Sequence, residues 1–203
     1  MNSRLASDPE TYWRDAGWGP EWRFPVTRAD GEPLELALRV PLDWEAFDVM
    51  KRPLGEAAET GPLAQVLAPL ARGIDAAGVI AIMGIAHPLP REGAPDAHLF
   101  VTLTVALADL TGAFPDSVPG SEVEPVEFAH PGGPERGVRI RRTRDAAVAP
   151  GAPPLPVLTV QYLVRTEHGV MAITFMTPQV DVFDRLGELF EKIAATCSLA
   201  RLL

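Results

Sequence analysis

A chain of 203 residues with 47% apolar and 22% charged residues has an ordinary globular composition, and is long enough to bury one sizeable core. Its formal net charge of −9 argues against a general nucleic-acid binder, because phosphate affinity needs a basic surface. No run of about 18 apolar residues occurs, so no membrane-spanning helix is expected, and the single cysteine, Cys197, excludes an internal disulfide.

The first residues, Met1 to Arg14, mix Arg4, Asp8, Glu10 and Tyr12 without an apolar centre. They do not read as a signal peptide, and a cytoplasmic protein is expected. Residues 1–33 hold Trp13, Trp18 and Trp22 among Gly17, Gly19, Pro20 and Pro25. That spacing fits neither a heptad nor a strand, so an irregular Trp-rich N-terminal arm is expected. Its aromatics either dock on the domain or serve a partner as anchors. Residues 34–203 are expected to form a single α+β domain.

Leu34 to Val40 alternates as a strand does, with Trp44 in the core at its exit. Asp43 to Thr60 is polar, a loop or a short helix. Leu63, Val66, Leu67, Leu70 and Ile74 then trace a helical stripe that Pro69 interrupts, with Thr60 able to cap it and Gly78 to end it. Val79 to Ala86 and Leu99 to Leu107 read as buried strands. The proline-rich loop from His87 to His98 joins them as sheet neighbours.

Thr111 to Gly120 is a turn-rich crossing, and Val123 to Phe128 a further strand. After the sharp loop Pro131-Gly132-Gly133-Pro134 comes Gly137 to Arg144, a strand that follows Arg136 and carries Arg139, Arg141, Arg142 and Arg144. Alternation puts Arg139 and Arg141 opposite Val138 and Ile140, with Arg142 and Arg144 expected to extend the arginine face as the strand ends. Guanidinium groups in a row engage carboxylates or phosphates in bidentate fashion. The alternative is pairing with the chain's own acidic residues, which number 27.

Pro156 to Ser198 is the most patterned stretch. Leu158, Val160, Tyr162 and Val164 share one face of a strand, as do Met171, Ile173 and Phe175 in the next. A two-residue turn at His168-Gly169 would set Val164 opposite Ile173 and Tyr162 opposite Phe175, leaving His168 exposed. Thr177-Pro178 reads as a helix entrance. Val182, Phe183, Leu186, Leu189, Phe190, Ile193, Ala194 and Cys197 then recur at steps of three and four, a broad apolar stripe. The nearest surface for that stripe is the hairpin it follows, and Cys197 is read as a small core hydrophobe.

The runs Val160-Gln161-Tyr162-Leu163-Val164, Ile173-Thr174-Phe175-Met176-Thr177-Pro178 and Leu189-Phe190-Glu191-Lys192-Ile193-Ala194-Ala195-Thr196, with Gly169 between the first two, resemble the C-terminal half of PsbP-like domains. That group includes photosystem II extrinsic subunits, a Ran-binding nuclear transport factor, actinobacterial lipoproteins and chaperone-adaptors of type VI secretion effectors. The similarity is to its uncharacterised actinobacterial members, over roughly residues 34 to 200 and densest after 156. It implies an α+β fold, a mainly antiparallel curved sheet flanked by helices, in a group whose members mostly bind partners and do not catalyse. No lipobox cysteine stands near the N-terminus, and no acidic patch matches a Ran-binding surface.

Three functions are compatible with these residues. The first is a non-catalytic protein-interaction or chaperone-adaptor module, with no cofactor, acting as monomer or homodimer through Arg139, Arg141, Arg142 and Arg144 or through Trp13, Trp18 and Trp22. The second is a small-ligand carrier with an apolar pocket. The third is a metal-assisted hydrolase in which His87, His98 and Asp96, with His130, would converge. That spacing matches no dense ligand motif, and no metal or catalytic residue is assigned. Ser117, Ser121 and Ser198 lack the context of an activated nucleophile, and the acidic Asp181, Asp184 and Glu188 read as a solvated helix face.

Overall fold

A computed structural model of the chain describes residues 17–27, 31–42, 44–47, 79–88, 98–108, 112–130, 133–146, 154–180 and 183–202. The helical stripe expected around Leu63 to Ile74 lies outside them. The chain groups into two compact units: Met1–Trp44 with Asp181–Leu203, and Glu45–Val180.

In the first unit, β1 (Trp18–Thr27), β2 (Pro33–Pro41) and β10 (Ser198–Arg201) form a sheet in the order β1-β2-β10. Both pairings are antiparallel. Residues 18–27 thus form a strand, with one register shift between Trp18 and Glu21, where an irregular arm was expected. Pro20 and Pro25 lack amide donors and so suggest a break, but β1 is an edge strand, where proline is tolerated. Its half-buried Trp22, Phe24 and Val26 alternate with exposed Arg23, Pro25 and Thr27. They pair in register with Leu38, Leu36 and Leu34, which are fully buried.

The same unit holds the one helix among the described residues, α1 (Phe183–Thr196). Leu186, Leu189, Phe190, Ile193, Ala194 and Cys197 are buried, as their spacing requires, while Glu188 and Lys192 form an exposed ion pair one turn apart at 2.6 Å. The helix packs on β2. Thr196 Oγ1 accepts from the Arg39 amide at 2.9 Å and donates to the Arg39 carbonyl at 3.0 Å. The helix therefore groups with the three-stranded sheet, not with the hairpin that precedes it. Helices on both sides of one sheet are not seen among the described residues.

The second unit is one antiparallel sheet in the order β3-β4-β5-β9-β8-β7-β6. Its strands are β3 (Glu45–Phe47), β4 (Val79–Pro88), β5 (His98–Ala108), β6 (Glu122–His130), β7 (Gly133–Ala146), β8 (Leu155–Thr166) and β9 (Gly169–Thr177). β4 and β5 are neighbours, as the loop between them suggests. One face carries Leu158, Val160, Tyr162, Val164, Met171, Ile173, Phe175, Val101, Leu103 and Val105, all buried. Tyr162 is 0% exposed and meets Phe128 and Phe175 edge to face, with ring centroids 5.7 and 6.1 Å apart, a favoured aromatic geometry. The opposite face holds a smaller core of Ile140, Leu163 and Val170, covered in part by Phe114 and Val118 from the crossing before β6. Arg165 stacks over Phe114 and donates to the Gly112 carbonyl, tying that crossing down.

The β8–β9 hairpin keeps the expected faces in a different register. Its turn is Glu167-His168, with Val164 opposite Met171, Tyr162 opposite Ile173 and Val160 opposite Phe175. The cause is Thr166, whose Oγ1 accepts from the His168 amide at 3.2 Å and donates to the Gly169 carbonyl at 3.0 Å. The positive φ falls on Gly169, at 131°. The shift is by two residues, so parity, and with it the buried face, is preserved. His168 is only 8% exposed, contrary to the expectation of an open turn residue.

Candidate functional site

The arginine strand is β7. Its pairing to β8 runs unbroken from Gly137 opposite Val164 to Ala146 opposite Leu155. Without a bulge, side-chain direction alternates to the end. Arg139 and Arg141 therefore share the face of Val160 and Tyr162, whereas Arg142 and Arg144 share the face of Val138 and Ile140. The single four-arginine face expected, with Arg142 and Arg144 extending that of Arg139 and Arg141, does not form.

The two halves differ in electrostatics. On the first face β6 supplies matched acids: Glu124 lies opposite Arg139 and Glu122 opposite Arg141. Arg139 is ion-paired with Glu124, and Arg141 with Glu122 at 3.5 Å. Partial burial works against the charge on Arg139, but the bond to Glu124 and its charge, with Tyr162 contributing, hold the guanidinium pKa above its ordinary value. These two arginines are thus used within the sheet. On the second face, among the described residues, neither Arg142 nor Arg144 has an acidic partner. Arg142 is half-buried and Arg144 exposed.

The reason is the length of β6. It covers β7 only from Gly133 to Arg141, while β8 continues along β7 to Ala146. Before Glu122 the chain leaves the strand: Ser121 donates its amide to the Val118 carbonyl at 3.0 Å, and Val118 packs on the Ile140 cluster. Arg142 to Ala146 is therefore paired by β8 on one side and open on the other among the described residues. An open strand edge presents amide and carbonyl groups at alternate residues. Sequence patterning gave the strand and its arginines but not this edge, which depends on where its neighbour begins; Pro119-Gly120 ahead of Ser121 is the local trace of it.

The tryptophans separate similarly. Trp13 lies outside the described residues, Trp22 is half-buried against Leu38, and Trp18 is 41% exposed. Trp18 lies opposite Pro41, and the next residue, Leu42, is 70% exposed and donates its amide to the Gly17 carbonyl at 2.9 Å. Both large apolar residues thus sit at one end of the β1–β2 pair. Leu42 was not singled out in the sequence, where it reads as the residue after a strand.

Of the residues considered for a metal, His130 lies apart from His87 and His98. His87 and His98 lie at one end of the β4–β5 pair, His130 ends β6, and Asp96 is outside the described residues. Between β5 and β6 the sheet order places β9, β8 and β7; at about 4.8 Å per step, His98 and His130 are on the order of 19 Å apart along the sheet. Among the described residues no group of three or more His, Cys, Asp or Glu side chains could hold a metal ion. Cys197 is buried, its Sγ 3.6 Å from the Ile193 carbonyl, and burial pushes the thiol up to about 12, so it is no nucleophile at neutral pH.

No described helix is long and apolar enough to cross a membrane. A scan against protein-family models finds no match, and a search of curated proteins finds none. Among solved structures the chain is similar to the crystal structure of LpqN, involved in cell envelope biogenesis of Mycobacterium tuberculosis. The identity is 14%, covering 93% of this chain and 95% of that one, with a TM-score of 0.39.

Proposed function

We propose that this protein is a non-catalytic interaction module that presents exposed side chains of its sheets to a protein partner. The observation that carries the reading is the pair Trp18 and Leu42, large apolar residues held in solvent at one end of the β1–β2 pair by strand register and by the Leu42 amide bond to Gly17. Aromatic anchors of this kind carry much of the energy of protein interfaces. The resemblance to PsbP-like domains supports the same reading, since that group mostly binds partners. Cytoplasmic residence is part of the proposal and is tested by fractionation of the native host. The decisive experiment places a photo-crosslinking amino acid at Leu42 in the full chain and irradiates in host lysate. A discrete crosslinked protein, lost on Trp18→Ala while the circular dichroism spectrum is unchanged, is the expected result. Absence of any discrete crosslink, or one that survives Trp18→Ala, refutes it.

A further inference from the structure

β7 outruns its neighbour. From Arg142 to Ala146 it is paired by β8 on one side and open on the other among the described residues. Arg142 and Arg144 stand two apart on one face of that open segment, without acidic partners there. Along the covered part of the same strand β6 answers each arginine in turn: Glu122 lies opposite Arg141, Glu124 opposite Arg139 and Glu127 opposite Arg136. β6 thus supplies carboxylates as far as it reaches; beyond it the strand's own Asp145 alternates to the face opposite Arg142 and Arg144.

We infer that the open edge of β7 binds an extended acidic peptide as an added strand, its backbone pairing with residues 142–146 and its carboxylates, at alternate positions, meeting Arg142 and Arg144. This rests on the interaction-module reading and names the partner's chemistry. Two requirements follow from geometry. Side chains of one strand face repeat every second residue, so the partner needs acidic residues at i and i+2, the spacing of Glu122 and Glu124 themselves. It must also be free of proline at positions that donate to the edge. A second copy of this chain is a poor occupant. Antiparallel pairing of two such edges sets Arg144 against Arg144, or Arg142 against Arg144, and like charges directly opposite each other repel.

The test titrates the full chain into fluorescein-labelled Thr-Glu-Val-Glu-Thr-Glu-Val and reads anisotropy, alongside a peptide with Lys for Glu and one with Pro for the internal Thr. Saturable binding of the first peptide alone is expected. It should weaken with salt and by roughly tenfold or more in Arg142→Glu/Arg144→Glu, with amide shifts in an NMR titration centred on residues 142–146. Should charge reversal disturb the fold by circular dichroism, Arg142→Gln/Arg144→Gln decides in its place. Equal binding by the variant, equal binding of the proline peptide, or displacement by inorganic phosphate at concentrations similar to the peptide's overturns the proposal; the last two would mean an anion site without strand addition. Absence of peptide binding together with a Trp18-dependent crosslink removes this inference and leaves the module reading standing. Loss of both removes both.

Discussion

At the scale of single residues, two positions show how closely the described core is fitted. Gly137 of β7 lies where a Cβ would meet the Leu163 carbonyl oxygen at 2.5 Å and the Phe128 ring at 3.6 Å, whereas around Gly17 nothing lies within 4 Å. The first obstacle is backbone of the neighbouring strand and cannot swing aside. Gly137→Ala is therefore expected to destabilise by about 1–3 kcal/mol, the usual cost of overpacking, and Gly17→Ala by far less. Urea denaturation midpoints of the two variants check the contrast, and equal midpoints would contradict it. Cys197 gives a pH dependence whose sign is fixed by its burial. Its thiol is raised from 9.0 to about 12 in the folded state, so the unfolded chain loses the proton first as pH rises. Stability from this group is whole below about 9 and declines between about 9 and about 12. At about pH 8 a thiol reagent is expected to label the protein only after denaturant is added. Rapid labelling of the folded chain would show the burial to be wrong.

At the scale of elements, β6 and β7 are matched strands, with three acids opposite three arginines. Such pairs help set register, since a slip of one residue would move every acid to the wrong face. Individually they are weak. Glu124 and Arg139 are both partly exposed, so a double-mutant cycle with Glu124→Gln and Arg139→Gln should give a coupling of about 0.2–1 kcal/mol that shrinks with added salt. A coupling indifferent to salt would mean that the contact is not electrostatic in origin. The elements also separate what patterning reveals from what it hides. β4, β5, β6, β7, β8 and β9, and the stripe of α1, were legible because alternation and the three-four step are local signals. β1 was not, because its prolines mimic a break. The hairpin register was not, because a threonine hydroxyl bond moved the turn by one residue without changing the buried face. The open edge of β7 is legible only once the end of β6 is known.

At the scale of the molecule, the largest departure from sequence expectation is the company that α1 keeps. Adjacency along the chain suggested the β8–β9 hairpin as its support, yet α1 and β10 belong with β1 and β2, contributed from the other end of the chain. No local pattern encodes a contact between Arg39 and Thr196, which are 157 residues apart. The consequence is a dependence of the N-terminal strands on the C-terminus. Without α1 and β10, β2 loses its antiparallel partner at Ser198 to Arg201, the Thr196 hydroxyl at Arg39 and the helix that packs on it. What remains of the first unit's described elements is the β1–β2 pair, and a two-stranded hairpin on its own is marginal in water. A chain ending at Val180 should therefore lose hydrogen-exchange protection at the amides of β2 from Leu34 to Ala37, which the full chain holds between β1 and β10. Nuclear magnetic resonance or mass spectrometric exchange on the two chains measures this directly. If β2 stayed protected after the truncation, the pairing with β10 and the packing of α1 would not be what stabilises it, and the exposed Trp18 and Leu42 would be held by β1 and β2 alone.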